Sequence, residues 1–291
     1  MNGILLVNKE AGYTSRDVVN IVSKIIKNKT VGHTGTLDPI ATGVLVLCIG
    51  DATKLVELIT AFDKEYIAEI ILGTKTDTLD TTGKILKEVE VSLLDEDIIK
   101  AVLSMKGKYE QEVPIYSAVK VNGKKLYESA RNDEQVKLPK RTVEIKNIEL
   151  VSPIKRENGK IIFEIKCTVT KGTYIRSLIN DIAEKLNTVA CMKNLKRTKQ
   201  GKYFIENTYS LEEIENSKYK LIDIPTALND KLTIKVNKEL EQCIKNGKIL
   251  DNIYLEDEVL FINEQNHVLA LYKKYEKDET KIKPWKMFKQ K

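Results

Sequence analysis

Hydrophobic and polar positions change period several times along the chain, and each change predicts an element. The apolar run ILLV at Ile4–Val7 predicts a strand. Val18, Ile21, Val22, Ile25 and Ile26 then recur at helical spacing behind Thr14 and Asp17, which have capping-box separation. A helix with one buried face is therefore predicted over Ser15–Lys27. Val44–Ile49 predicts a buried strand, Ala52–Phe62 a helix and Lys64–Thr74 a strand. A DTLDTTG turn at Asp77–Gly83 leads into Lys84–Val91, and Asp95–Met105 has the pattern of an amphipathic helix. Ile161, Phe163, Ile165, Cys167 and Val169 recur at period two, that of a half-buried strand, before Ile175–Leu186 returns to a helical pattern.

Strands and helices mix without regular β-α-β alternation, and turns such as Glu157–Gly159 join neighbours. The pattern predicts an α+β fold around a mixed, largely antiparallel central sheet. Leu228–Lys231 reads as a boundary, followed by short strand-like pieces (Leu255–Ile262 and His267–Leu271) around the turn residues Asn263–Asn266. Residues 1–230 are expected to form one domain and residues 231–291 a small β-rich one. A chain of 291 residues is long enough for both.

One loop stands out from this pattern. GHTGTLDPIATGVLVLCIGDATKL, from Gly32 to Leu55, places Asp38 between Leu37 and Pro39, just ahead of the buried strand. Aspartate in a Gly/Thr-rich loop commonly caps a turn, so Asp38 is open to two readings, a cap or a reagent. Familiar phosphate loops do not fit. GHTGTLD is superficially like the DKTGTLT loop of cation-pumping ATPases, but Gly32 occupies the place of the aspartate there. GDATK lacks the P-loop spacing, and no GxGxxG is present.

Composition narrows the choice. No apolar run approaches the roughly 18 residues of a membrane helix. The start, MNGILLVNKEAGYTS, lacks a signal-peptide pattern, so a cytoplasmic protein with no membrane contact is expected. The four cysteines contain no CxxC pair and there are two histidines, so no metal site is expected. Cys48 and Cys167 fall in apolar strand patterns and read as reduced core thiols. The net charge of +6 says less than its distribution. Thr188–Ile205 has no acidic residue but holds Lys193, Lys196, Arg197, Lys199 and Lys202. Lys120, Lys124 and Lys125 form a second knot, and Lys137, Lys140 and Arg141 a third. Such runs are solvated faces or phosphate contacts.

The Asp38 segment closely resembles the signature of the TruB-type tRNA pseudouridine synthases, which isomerise the uridine at position 55 in the T arm of tRNA. NKEAGYTS resembles the family's first motif and KEYIAEIILGTKTDTLDTTG the next block. YSAVKVNGKKLYESAR, KGTYIRSLINDI and NLKRTKQGKY resemble three more, in family order, over Asn2 to about Tyr203. Glu10 departs from the pattern, standing where the family usually has proline, but it removes no reactive group. KPWKMF near the end resembles the closing strand of a PUA-like RNA-binding module. The resemblance implies a pseudouridine synthase fold with a C-terminal PUA-like domain and tRNA as partner. It implies no cofactor, no protein partner and a monomer. The short N-terminus and the Gly73–Thr82 block favour the stand-alone bacterial type over the RNA-guided branch.

The implied reaction breaks the N1–C1′ bond of uridine, turns the uracil and rejoins it through C5, without redox change or group donor. By resemblance Asp38 is the nucleophile, attacking C1′ or C6 or promoting glycal formation. Burial would raise its pKa and weaken that role, so a cation must offset it. Arg176 of GTYIR resembles the family's arginine that does so. A cation at a helix start opposes the macrodipole, which also argues for a specific partner. Tyr66 resembles the tyrosine that packs on the uracil and is a candidate base for the C5 proton. Tyr174 resembles a second pocket contact, Leu195 a lining leucine, and His33 the histidine that fills space near the flipped base. Lys9 would support the aspartate loop. A uridine in a folded T loop must be extruded, and the basic runs then read as RNA backbone contacts. The rival is a non-catalytic RNA-binding protein on the same fold; Asp38 together with Arg176 favours the enzyme.

Overall fold

The apolar runs up to Gln200 pair edge to edge into one sheet. The structure, a computed structural model, describes residues 1–132 and 134–288. Strands Gly3–Lys9, Thr42–Ile49, Ala190–Gln200, Lys64–Leu72, Lys160–Val169, Lys140–Leu150 and Gly107–Glu112 follow one another across it. Neighbours are antiparallel except at one seam, where Thr42 and Gly43 run parallel to Lys196 and Arg197. Gly43 has φ +99°, and a Cβ there would lie 2.2 Å from the Arg197 carbonyl oxygen. Only glycine lets the two strands close at this point.

Burial explains the two kinds of strand pattern. Gly3–Lys9 and Thr42–Ile49 read as continuous apolar runs because both of their faces are covered. Leu5, Val7, Leu45 and Leu47 pack under helix Ser15–Ile25, while Ile4, Leu6, Val44 and Val46 face a second cluster. Lys64–Leu72 and Lys160–Val169 alternate because one face alone is buried, against helices Asp95–Leu103 and Ile175–Lys185. Ile70, Phe163 and Ile179 are 1 % exposed or less, and burying each contributes about 1.5–3 kcal/mol. Thr14 and Asp17 form the reciprocal capping box that their spacing predicts.

Three predicted boundaries move. Ala52–Phe62 begins as a 3₁₀ turn over Gly50–Leu55 and is α-helical over Val56–Thr60, because no side chain caps either start. The Lys64–Thr74 strand stops at Leu72: Gly73 turns with φ +99°, and Thr74–Thr76 pairs with Ile85–Glu88 instead. Leu255 lies outside the Glu258–Ile262 strand, in a turn at φ +56° and 92 % exposed.

Beyond Leu228 the chain builds a second sheet in the order Leu232–Lys235, Glu258–Ile262, Val268–Tyr275, Asp278–Met287 and Leu250–Asp251. Leu260, Leu271 and Phe288 join the cluster of Ile4, Leu6, Val44 and Val46. Lys286 pairs with Glu57 at 2.7 Å across the contact. KPWKMF supplies the end of the Asp278–Met287 strand; the last three residues of the β-rich segment, 289–291, lie outside the described residues.

Gly43→Ala should destabilise the fold by about 2 kcal/mol or more, read as a lower denaturant midpoint at unchanged slope. Gly12 also has a positive φ, +90°, but nothing within 4 Å of its Cβ position. Gly12→Ala should therefore lose clearly less, and equal losses would mean that the seam is not the constraint.

Candidate active site

The Asp38 loop enters at the parallel seam and is braced from both sides. Ser15 Oγ accepts the Leu37 N–H at 2.8 Å and donates to the Leu37 carbonyl at 3.2 Å. The Lys9 ammonium, fully buried, donates to the carbonyls of Ala41 at 2.6 Å, Glu10 at 2.9 Å and Pro39 at 3.3 Å. Its three protons thus meet three carbonyls, two of them on the loop just past Asp38. Burial pushes Lys9 down to about 8; the nearby Asp38 charge pulls the other way, and Arg197 adds to the depression. Asp38 keeps its side chain a third exposed.

Strand Ala190–Gln200 holds the loop from beneath. Arg197 Nε donates to the Val44 carbonyl at 2.7 Å and Nη2 to the Gly35 carbonyl at 3.1 Å. Gln200 Nε2 donates to the Thr34 carbonyl at 3.0 Å and to Thr34 Oγ1 at 2.8 Å. Arg197 is 1 % exposed and makes no ion pair among the described residues, so it leaves the basic surface run to which its charge assigned it. Strand alternation accounts for this: Leu195 and Arg197 share the inward face, and Lys196 points out.

Arg176 meets Asp38 at two points, Nε to Oδ2 at 2.9 Å and Nη2 to Oδ1 at 3.3 Å. The same guanidinium donates to the Thr78 carbonyl at 2.8 Å and the Tyr116 carbonyl at 3.0 Å. It is 5 % exposed, in the first turn of helix Ile175–Lys185, where a cation opposes the helix dipole and no acidic side chain helps. Asp38 supplies the missing negative charge, through the planar fork that only arginine offers. Asp80, read from sequence merely as part of a turn, is 5 % exposed and accepts from Thr78 Oγ1 at 2.8 Å and Thr82 N at 3.0 Å. It fixes the loop whose Thr78 carbonyl grips Arg176.

Tyr66 and Leu195, both buried, share one apolar cluster with Leu37, Ala41 and Ile175, which flank Asp38 and Arg176. Tyr174 is half-buried and stands at the start of the Arg176 helix. His33 ends the short Val31–His33 strand beside Leu47. Burial, with Arg16 and Arg197 nearby, holds its imidazole below the usual range and hence neutral, and its buried Nδ1 has no hydrogen-bond partner among the described residues. No direct bond joins His33, Tyr66 or Tyr174 to Asp38 among the described residues. No group of His, Cys, Asp and Glu suited to a metal ion occurs among them, and no helix is long and apolar enough to cross a membrane. The arrangement is a carboxylate fixed in orientation beside an apolar, aromatic wall.

The family description "TruB family pseudouridylate synthase (N terminal domain)" matches residues 23–175, and that of the tRNA pseudouridylate synthase B C-terminal domain matches residues 176–244. The chain belongs to the TruB family of pseudouridine synthases. The proteins named tRNA pseudouridine synthase B from Bacillus licheniformis and Clostridium tetani are similar to it. The first is 40 % identical over 304 residues, covering 100 % of this chain and 98 % of that protein. The second is 41 % identical over 283 residues, covering 94 % and 96 %. Among solved structures, a chain of an H/ACA ribonucleoprotein bound to a substrate RNA containing 2′-deoxyuridine superposes with a TM-score of 0.70 at 21 % identity, over 99 % of this chain and 85 % of that one. That similarity shows a common fold. The TruB matches meet inside the site, so Asp38 comes from one matched segment and Arg176 opens the other.

Lys9 gives the loop a pH dependence. Its ammonium, the form that fills three donor positions, is lost as pH rises through about 8 rather than 10.5. Turnover at saturating tRNA should decline between pH 7 and pH 9, and Lys9→Met should be slower and lack this decline. Lys64 is also pushed down to about 8 by burial, but it donates to the Thr60 and Phe62 carbonyls. Lys64→Met should keep the decline; its disappearance there instead would assign the effect to the wrong lysine.

Proposed function

We propose that this TruB-family protein converts uridine to pseudouridine in the T arm of tRNA, with Asp38 as the reacting carboxylate. The observation that carries this reading is the two-point Arg176–Asp38 pair, at 2.9 and 3.3 Å, on a loop fixed by Lys9, Ser15 and Arg197. Arg176 sets the plane of the carboxylate, while each oxygen retains a lone pair for the substrate. The Asp38 carboxylate bonds to C1′ or C6 as the N1–C1′ bond breaks; the uracil turns, C5 bonds to C1′, the carboxylate is released, and C5 loses a proton while N1 gains one. The reaction needs no cofactor.

The apolar wall takes the base. Tyr66 packs against the uracil and takes the C5 proton on its phenolic oxygen as its own proton passes on to solvent or to N1, and Leu195 and Tyr174 line the pocket. A neutral His33 fills the space beside the flipped nucleotide without repelling the cationic partners of Asp38. Extruding the uridine costs a few kcal/mol, which stacking on this wall offsets. Exposed Lys120, Lys137, Lys140, Arg141 and Lys196 contact RNA phosphates, and residues 231–291 act as a PUA-like unit that adds affinity rather than chemistry. The protein works as a cytoplasmic monomer.

The test incubates the purified protein with unmodified tRNA transcript and maps pseudouridine by carbodiimide treatment and primer extension. Wild-type protein should modify the T-arm uridine. Asp38→Asn should bind tRNA and form no product, and Arg176→Lys should lose about a hundredfold in rate through misplacement of the carboxylate. Product formation by Asp38→Asn at the wild-type rate would overturn the assignment.

A further inference from the structure

The helix that carries Arg176 begins without a capping side chain of its own, since Tyr174 cannot supply one. A neighbouring strand supplies the acceptor instead. Tyr109 and Gln111 sit on the inward face of strand Gly107–Glu112, at the edge of the main sheet. Gln111, 2 % exposed, accepts the Tyr174 N–H on Oε1 at 2.8 Å. Its Nε2 donates to Tyr109 Oη at 2.7 Å, and Tyr109 donates to Asp181 Oδ2 at 2.9 Å. Asp181 lies on the same helix as Arg176, so the chain of bonds leaves the helix start and returns to it further along.

The direction of every bond in this chain is forced. A backbone N–H can only donate, so the Gln111 oxygen must face Tyr174 and its amide nitrogen must face Tyr109. Tyr109 must then accept from Gln111 and give its one proton to Asp181. Burial raises the Asp181 carboxyl to about 6, with Glu184 and Glu112 adding to the rise and the bonds from Tyr109 and Gln111 opposing it. It is therefore the carboxylate acceptor at neutral pH. The same strand and the segment after it hold two more residues of the helix's first turn: Ser177 Oγ donates to the Glu112 carbonyl at 2.8 Å, and Arg176 Nη2 to the Tyr116 carbonyl at 3.0 Å.

We infer that Asp181, Tyr109 and Gln111 are positioning residues, which fix the first turn of the Arg176 helix and through it the angle at which the guanidinium meets Asp38. The inference rests on the proposed role of the Asp38–Arg176 pair. Tyr109 packs against the same apolar cluster as Tyr66 and Leu195, but the hydrogen bonds of all three residues run to the start and the body of the Arg176 helix, so breaking those bonds acts on the rate more than on tRNA binding. A reacting carboxylate misplaced by about 1 Å loses on the order of a hundredfold in rate, which makes such a brace consequential.

The experiment measures single-turnover rate on saturating tRNA transcript, together with the dissociation constant for tRNA. Tyr109→Phe removes one oxygen and breaks the chain at its centre. It should lower the rate about tenfold to a hundredfold and leave the dissociation constant little changed. Asp181→Asn keeps an acceptor for Tyr109 and should stay close to wild type, whereas Asp181→Leu should match Tyr109→Phe. In an Arg176→Lys background, Tyr109→Phe should add little further loss, because the two changes act through one group. An undiminished rate for Tyr109→Phe, an Asp181→Asn as slow as Asp181→Leu, or full multiplication of the losses with Arg176→Lys would overturn the inference. Should Tyr109→Phe not fold, Gln111→Asn carries the same expectations and the same overturning results. Failure of the wild-type protein to form pseudouridine would instead overturn the proposed function.

Discussion

The constraint on which the structure turns is a guanidinium held almost completely out of water. Arg176 can lie inside the protein because Asp38 and the carbonyls of Thr78 and Tyr116 take a hydrogen bond from each of its three nitrogens. Those three partners lie on segments far apart in sequence, so one side chain gathers the aspartate loop, the Asp80 turn and the strand extension past Glu112. The arrangement runs against the dipole of the Arg176 helix, and its cost is offset by a carboxylate that must then remain beside it. A carboxylate placed for structural reasons is also placed for chemistry.

The cations behind the loop follow the same logic. Lys9, Lys64 and Arg197 are all buried, and each donates to backbone carbonyls. Burial, with the charge of Arg197 adding to it, holds the two lysines near 8. The loop thus rests on a floor of buried cations. The seam at Gly43 allows this: without a side chain there, the Ala190–Gln200 strand approaches closely enough for Arg197 to reach both Val44 and Gly35.

Much of the fold was legible because its strands obey simple periods. The alternation at Ile161–Val169, the helix behind Thr14 and the hairpin at Glu157–Gly159 all follow from local pattern, as does the mixed, largely antiparallel sheet. The Asp38 and Arg176 motifs were visible as residues, while their contact was not, since 138 positions separate them. Where sequence misled, charge was read without register. Arg197 looks like one of a basic run, yet strand alternation turns it inward. Asp80 and Gln111 resemble turn and surface letters, and their importance lies in bonds to groups distant in the chain. Gly73 and the uncapped start at Gly50 moved element ends for local backbone reasons that periodicity does not carry.

The central claim is that Asp38, held by Arg176, faces an extruded uridine lying on the Tyr66 wall. The most direct measurement is a crystal structure of the Asp38→Asn protein bound to an unmodified T-arm stem-loop. The account predicts the target uridine flipped out of its stack against Tyr66 and Leu195. The side chain of residue 38 should then lie within about 3.5 Å of C1′ or C6, the separation of a near-attack geometry. A target base still stacked in the RNA, or extruded into a pocket remote from residue 38 and Arg176, would contradict it.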